Sequence, residues 1–327
     1  MHAVWYEGLG PAKEVLRYGE MDAPPLGSGE VRVAIRASGV NPSDVKRRSG
    51  QSQRAVRFPR IIPHQDGAGV IEAIGGGVPK SRLGERVWIY EAQVGRPFGT
   101  AADFAVVPSE NAIHLPDGVD FETGATLGVP AMTAYACLFY DGPIAGQTVL
   151  ISGGAGACGN YGIQIAKWAG ATVITTVSSD EKARMADEAG ADYVLNYRKD
   201  DVVDRVLEVT KGEGVDRIME VAFGANISID SKVMKQGGAV ATYSSAGDRE
   251  PRIPFADLST KCGTVHFVLI YTASRKLHSD AVEGINRCLD VGALRPRIAL
   301  KLPLSQTVAA HEAVERGDLI GKVLVTV

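Results

Sequence analysis

Residues 147–171 read QTVLISGGAGACGNYGIQIAKWAGA, and the fold class is decided there. A short aliphatic and β-branched run, Thr148-Val149-Leu150-Ile151, meets Gly153-Gly154-Ala155-Gly156-Ala157-Cys158-Gly159, and a helical pattern continues to about Ala169. Gly154, Gly156 and Gly159 match G-x-G-x-x-G with a strand before and a helix after, the setting in which the motif carries meaning. In that pattern the first glycine permits a tight turn. The second lets the backbone approach a pyrophosphate, and the third brings helix and strand together. The helix N-terminus adds unpaired N–H groups and the positive end of the peptide dipoles. A second strand follows at 172–177. The unit predicts dinucleotide binding, with Gly154, Gly156, Ala157, Cys158 and Gly159 as the loop positions. Cys158 stands where a helix N-terminus favours a thiolate; it is equally a small residue tolerated at an x position.

Outward from this loop, strand and helix alternate. Strands are expected at 148–152, 172–177, 193–196, 215–221 and 239–243, with helices near 180–189, 202–210 and 227–235. That alternation predicts an α/β, doubly wound parallel sheet. Upstream, short runs at 29–37, 68–74, 86–90 and 102–107, separated by Gly and Pro, predict a β-rich module. Downstream come helices near 279–291 and 308–316 and a closing strand at 321–327. That strand has no partner in the α/β region. It is expected to return to the N-terminal module, which makes the cofactor domain an insertion. The expected divisions are 1–122, 123–272 and 273–327.

A chain of 327 residues accommodates two such domains. The net charge of −3 supplies no general attraction to nucleic acid or to an anionic membrane, so neither is expected as a partner. No apolar run reaches membrane-spanning length. MHAVWYEGLG lacks the basic and apolar regions of a signal peptide. Cys137, Cys158, Cys262 and Cys288 form no C-x-x-C pair, which suits free thiols in a cytoplasmic protein. The one local charge run, 46–60, holds Lys46, Arg47, Arg48, Arg54, Arg57 and Arg60 and no acid. It reads either as a solvated face or as a reader of an anionic acceptor.

Several short motifs now stand in order: Gly39-Val40-Asn41-Pro42-Ser43-Asp44, Gly67-Ala68-Gly69-Val70-Ile71, Gly84-Glu85-Arg86-Val87, Gly99-Thr100-Ala101-Ala102-Asp103-Phe104, Met132-Thr133-Ala134-Tyr135, the glycine loop, Asn196-Tyr197-Arg198 and Gly321-Lys322-Val323. In this order the chain resembles the medium-chain dehydrogenase/reductase superfamily. Within it the chain is similar to the zinc-free quinone oxidoreductases, the zeta-crystallin-like branch. The resemblance implies a GroES-like catalytic domain, an inserted Rossmann domain and a homodimer, with the segment 265–271 as a pairing edge.

It also bears on metal. Zinc takes Cys, His or carboxylate ligands. The resemblance puts Asn41, Gln65 and Val129 at the three positions where zinc-containing relatives carry catalytic ligands, and their structural cysteine cluster has no counterpart. No metal is expected, and His64 is then a hydrogen-bonded loop residue or faces substrate. Without a Lewis acid, alcohol oxidation is disfavoured. The expected reaction is hydride transfer from a reduced nicotinamide to an acceptor that is already electrophilic, a quinone or an α,β-unsaturated carbonyl. Asn41 is the candidate donor to the acceptor oxygen as it gains charge; otherwise it is a turn residue before Pro42. Ser43 or solvent completes protonation.

NADPH is the expected cofactor. NAD sites place an acid at the end of the second strand to bind the ribose hydroxyls; here Val177 stands there. Ser178, Ser179 and Lys182 follow, a setting that accepts a 2′-phosphate, and Tyr197 resembles a residue flanking that phosphate in NADPH-using relatives. Asp180 and Glu181 argue for NADH unless they are first-turn acids of the next helix. The resemblance places Thr133 near the nicotinamide ribose, Phe267 and Val268 near the carboxamide, and Lys322 on the cofactor from the C-terminal end. Ser244 and Ser245 end a strand where open sheets bind ligands. The segment after Pro42 lacks the tyrosines that many quinone reductases carry, so an enone acceptor stays open. So does a largely non-catalytic, NADPH-binding, crystallin-like protein.

Overall fold

The computed structural model describes residues 1–52, 58–245, 248 and 250–327. In chain order its elements are β1 (His2–Trp5), α1 (Ala12–Val15), β2 (Arg17–Glu20), β3 (Glu30–Val40), α2 (Pro42–Ser49), β4 (Asp66–Ile74), β5 (Arg86–Ile89), β6 (Phe104–Pro108), β7 (Ala112–His114) and α3 (Phe121–Gly124). Then come α4 (Met132–Phe139), β8 (Thr148–Ser152), α5 (Ala157–Trp168), β9 (Thr172–Val177), α6 (Asp180–Glu188), β10 (Tyr193–Asn196), α7 (Val202–Val209), β11 (Val215–Glu220), α8 (Phe223–Val233), β12 (Met234–Thr242), α9 (Phe255–Thr260), β13 (Thr264–Phe267) and α10 (Arg275–Asp290). The chain closes with β14 (Ile298–Pro303), α11 (Thr307–Arg316) and β15 (Lys322–Thr326).

Two compact units emerge: Met1–Val129 with Pro296–Val327, and Pro130–Arg295. The changeovers lie at 129/130 and 295/296, not at 122/123 and 272/273. The later difference has a packing cause. Helix α10 buries Ala281, Ile285, Cys288 and Leu289, one face of a 3.6-residue period. Gly284 lets it lie on α4, because a Cβ there would sit 2.1 Å from the Tyr135 ring. Gln164 of α5 then holds the end of the unit, accepting from the Arg295 N–H at 2.6 Å. Residues 273–295 therefore complete the α/β unit.

The first unit is built on β3. Its alternate residues Val31, Val33, Ile35 and Ala37 are buried with Ile71, Val87, Ile89 and Val107, the period-2 pattern of a one-sided sheet. The sheet runs β14-β15-β3-β4-β5-β7, with β6 also on β3. Strand β15 pairs antiparallel with β3, Val323 opposite Val40 and Thr326 opposite Ala37. The closing strand does return to the N-terminal module. The preceding strand, β14, parallel to β15, was not read from the sequence.

The second unit has a parallel sheet in the order β10-β9-β8-β11-β12-β13. Its strands are apolar on both faces, as helices on both sides require: Val149, Leu150, Ile151, Val173, Ile174, Ile218, Met219 and Val240 are all buried. The chain crosses from β8 to β9 in one direction and later resumes at β11 in the other. That switch point is where open α/β sheets bind ligands, beyond the strand C-termini. Helix α8 begins four residues earlier than expected, since the Glu220 carboxylate accepts the Ala222 N–H and ends the strand there. The edge strand β13 stops at Phe267, short of the expected 271, because the chain enters a tight turn at Ile270–Thr272. Among the described residues no helix is long and apolar enough to cross a membrane.

Candidate functional site

The glycine loop closes on itself. The positive φ falls on Gly153, at 71°, so this glycine, not Gly154, makes the tight turn. Gly154 is required for a different reason: a Cβ would lie 2.1 Å from Thr175 Oγ1 and 2.8 Å from Ile163 Cδ1, between β9 and α5. At Gly159 a Cβ would meet the Gly153 carbonyl at 2.3 Å, so the first turn of α5 rests on loop backbone instead of on a strand. Gly156 caps α5, and a Cβ there would press on Gly153 O at 3.3 Å, far less severely than at Gly154 or Gly159. The loop therefore needs Gly153, Gly154 and Gly159 for itself, and Gly156 is the glycine its own packing constrains least. Ala157 and Cys158 are the first two residues of α5, and both are half-buried.

At the end of β9, Ser178, Ser179 and Lys182 come together. Ser179 accepts the Lys182 N–H at 3.3 Å as the cap of α6, and Lys182 Nζ donates to Ser178 Oγ at 3.0 Å. Tyr197 arrives from β10, its N–H on the Val177 carbonyl at 3.1 Å and its side chain half exposed. The Asp180 carboxylate, which argued for NADH, is taken by Lys199 at 2.7 and 2.9 Å. Thr133 is buried on α4. The Ser245 hydroxyl is committed to its own loop, donating to Asp248 O at 2.5 Å and accepting from Gly224 N at 3.0 Å. Ser244 contributes its carbonyl to Phe223 N at 3.1 Å. Phe267 is 73% exposed on β13, and Val268 is buried with its N–H on Thr242 O.

The first unit holds a charged cluster under Asn41. Pro42 at the first helical position and Asp44 at the third make this an ordinary helix start: the Asp44 carboxylate accepts the Asn41 N–H at 2.8 Å. The Asn41 amide is oriented by two neighbours. Its Nδ2 donates to Asp66 Oδ2 at 2.8 Å, and its Oδ1 accepts from Lys322 Nζ. An amide nitrogen carries two hydrogens, and these two contacts use one of them; the residue itself is 2% exposed. Ser43 follows half-buried in the first turn. Lys322 opens β15. It is 4% exposed and bound inside this unit, to Asn41 and, at 3.1 Å, to Asp66 Oδ2. Strand register puts it there: Val323 opposes Val40, so Lys322 comes beside Asn41. Gly39 leaves room, a Cβ there falling 3.0 Å from Lys322 Cε. In this arrangement Lys322 orients Asn41. Burial, and then the neighbouring Asp66 charge, push the Asp44 carboxyl up to about 7.

His64 belongs to a buried chain of hydrogen bonds whose direction can be worked out. Thr100 Oγ1 donates its one hydrogen to Asp66 O at 2.6 Å. Ser38 must then donate to Thr100 (2.7 Å), and His64 Nδ1–H to Ser38 (2.8 Å). His64 Nε2 is left to accept from His311 Nε2–H at 3.0 Å, and His311 Nδ1 is a bare lone pair with no partner among the described residues. Both ring nitrogens of His64 are engaged. Nitrogen NMR is expected to find the Nδ1–H tautomer at His64 and Nε2–H at His311. Burial, then Arg48, lowers His311 to about 3. The unfolded chain takes up this proton near 6.5, so stability falls as pH drops from about 6.5 toward 3, and His311→Leu is expected to flatten that slope. Among the described residues no three His, Cys, Asp or Glu side chains are grouped to hold a metal.

The basic run is not a free patch. Arg48 is fully buried, donating to Gly10 O and to Glu315 of α11. Arg47 donates to Gln93 Oε1 at 3.1 Å. Arg60 pairs with Glu7 at 2.7 Å and lies over Trp5. Arg54 and Arg57 lie outside the described residues. Residues not singled out from sequence include His311, 247 positions from His64, and Glu220, Asn226 and Asp230 beside the glycine loop. An acid late in a strand and another inside a helix carry no local signal; only the fold brings them together.

A β-rich domain in one unit and a doubly wound parallel sheet with a dinucleotide-type loop in the other define an oxidoreductase of the dehydrogenase/reductase class. Family comparison agrees: residues 27–117 match the alcohol dehydrogenase GroES-like domain and residues 157–285 the zinc-binding dehydrogenase family. The quinone oxidoreductase of Lama guanicoe is 30% identical over 95% of this chain and 93% of its own. Among solved structures, an NAD-dependent alcohol dehydrogenase superposes with a TM-score of 0.88 at 27% identity, covering all of both chains. A mycobacterial protein solved with NADPH superposes at 0.87, also at 27% identity and covering all of both chains. The chain belongs to the quinone oxidoreductase branch of the medium-chain dehydrogenase/reductase superfamily.

Proposed function

We propose that this protein is a zinc-independent NADPH:quinone oxidoreductase. NADPH would supply the hydride. Gly154, Gly156, Ala157, Cys158 and Gly159 would hold its pyrophosphate against the N-terminus of α5, and Ser178, Ser179, Lys182 and Tyr197 its 2′-phosphate. The observation that carries the cofactor choice is Lys182 Nζ on a neutral hydroxyl, Ser178 Oγ at 3.0 Å, while the nearby Asp180 is neutralised by Lys199. An ammonium bound to a hydroxyl keeps its charge for a phosphate. The remaining N–H of Asn41 donates to the acceptor oxygen as that oxygen gains negative charge. The Asp66 and Lys322 contacts hold the amide so that no reorientation is needed. Ser43 or solvent delivers the proton.

The test follows loss of NADPH absorbance, metal-free, with 1,4-benzoquinone, 9,10-phenanthrenequinone and an aliphatic enone, NADH run in parallel. Rapid NADPH-selective turnover of the quinones is expected. Turnover of the enone alone would reassign the acceptor, and binding without turnover would favour the crystallin-like role. Lys182→Glu is expected to raise the NADPH Michaelis constant at least about tenfold, one lost charge-assisted contact, with NADH unaffected.

The same reading includes a homodimer formed along β13. Its outer edge has no strand partner among the described residues, and Phe267, Leu269 and Tyr140 are exposed around it, a combination that favours strand pairing with a second copy. Phe267→Asp should shift sedimentation to the monomer. Free thiols at all four cysteines suit the cytoplasm.

A further inference from the structure

Beneath the ends of β8 and β11 lies a cavity of about 610 Å³ lined in part by Ser152, Gly153, Glu220, Asn226 and Asp230. Glu220 is the hub of its floor. It is 1% exposed, accepts the Ala222 N–H where β11 turns into α8, and accepts Asn226 Nδ2 at 3.0 Å. Asn226 Nδ2 also reaches Ser152 Oγ at 3.2 Å, the residue before the glycine loop. One carboxylate thus ties the root of the loop to the neighbouring strand end. Asp230 is different. It is 2% exposed on α8, and its Oδ2 has no partner among the described residues. The charged group that acts on it is Glu220, and burial with that neighbour pushes its carboxyl well above the usual range. Burial raises Glu220 as well.

We propose that Asp230 is a positioning residue for dinucleotide binding, acting through Glu220, so that one charge and not two sits beneath the ends of β8 and β11. The proposal rests on the NADPH reading. An unpaired buried carboxylate beside another is strongly disfavoured, and a neutral Asp230 leaves the Glu220 network intact. When Asp230 ionises, repulsion acts on Glu220, and the Asn226–Ser152 link and Gly153 move with it. Affinity is then retained while Asp230 holds its proton and is lost as pH rises.

Other groups face this site. Tyr197, Asp200 and Asp201 come from the β10–α7 side and Lys232 from α8. Tyr243 follows β12 and senses the Glu220 charge. Behind α8, Asp257 lies 3.4 Å from Ser231 Oγ, and Lys261 Nζ caps the Ser231 and Lys232 carbonyls at 2.7 Å. Variants of the acid pair are therefore read against wild type, so that these contributions and the cofactor's own titration cancel.

The experiment is fluorescence titration of NADPH onto the intact protein between pH 6 and 10, with Asp230→Asn and Glu220→Gln in parallel and thermal melts as a fold check. Wild type is expected to weaken by roughly tenfold toward the alkaline end, the scale of one like charge at protein dielectric. Both variants should hold a nearly constant affinity, each having one fewer ionisable group at the site. A wild type without slope, or an Asp230→Asn protein with the wild-type slope, overturns the proposal. Glu220→Gln alone decides if Asp230→Asn does not fold. Absence of NADPH binding at every pH rejects the cofactor reading and this inference with it.

Discussion

Gly159→Ala is expected to abolish NADPH binding, with a loss of more than about 100-fold in affinity, or roughly 2.7 kcal/mol. The added methyl would stand 2.3 Å from the Gly153 carbonyl oxygen and 2.9 Å from Gly154 Cα. Both are backbone, so no rotamer change relieves the clash, and α5 must withdraw from the loop it rests on. Overpacking of this kind costs about 1–3 kcal/mol, so the melting temperature should fall too. Gly156→Ala is the informative comparison. Its methyl would press on Gly153 O at 3.3 Å, which a shift of a few tenths of an ångström relieves, so the loss of stability should be smaller than for Gly159→Ala, no more than about 1 kcal/mol. If the loop backbone lies against a pyrophosphate, affinity should still drop at least about tenfold. A Gly156→Ala protein with unchanged affinity would place the pyrophosphate elsewhere.

The second large effect is expected at Lys322. Replacing it with Met leaves Asp66 fully buried, holding, among the described residues, the Asn41 Nδ2 and the Val129 N–H at 2.9 Å. Removing one member of a buried pair costs about 3–5 kcal/mol, because the other charge stays uncompensated. Denaturant unfolding should show that loss at neutral pH. Lys322→Met with Asp66→Asn should recover much of the stability, since no charge is then stranded. Turnover should not recover with it. Lys322 accounts for the orientation of the Asn41 carbonyl, and an amide free to flip no longer presents its N–H. A Lys322→Met protein that loses affinity for NADPH but not stability would restore the direct cofactor contact first expected for this residue.

Burial, with the Asp66 charge added, sets the behaviour of Asp44. Its carboxyl, at about 7 in the fold, ionises near 3.9 in the unfolded chain. The folded state therefore binds the extra proton between those values, and its contribution to stability declines as pH rises from about 4 to 7. Asp44→Asn should remove that decline. His311 acts in the opposite sense over much of the same range, so only the difference between wild type and variant isolates either group.

The strand–loop–helix at 147–171 was legible because its signals are local. Turn glycines, a β-branched run and helical spacing act within a few residues, and the alternation that follows dictates a parallel sheet whatever else the chain does. Ser178, Ser179 and Lys182 were legible for the same reason: a strand end, a cap and one helical turn place them together. The return of the C-terminal strand could be inferred from its lack of a partner in the α/β unit. Tertiary structure alone decided the rest. It moved the unit boundaries to 129/130 and 295/296 through the packing of α10 on α4. It turned Lys322 inward, buried Arg48 and paired His64 with His311. It also set Asp230 beside Glu220 under the glycine loop. In each case the deciding partner lies far along the chain or on another element. Such contacts form only when loop closure brings the elements together, and desolvation then selects which buried polar groups must find one another.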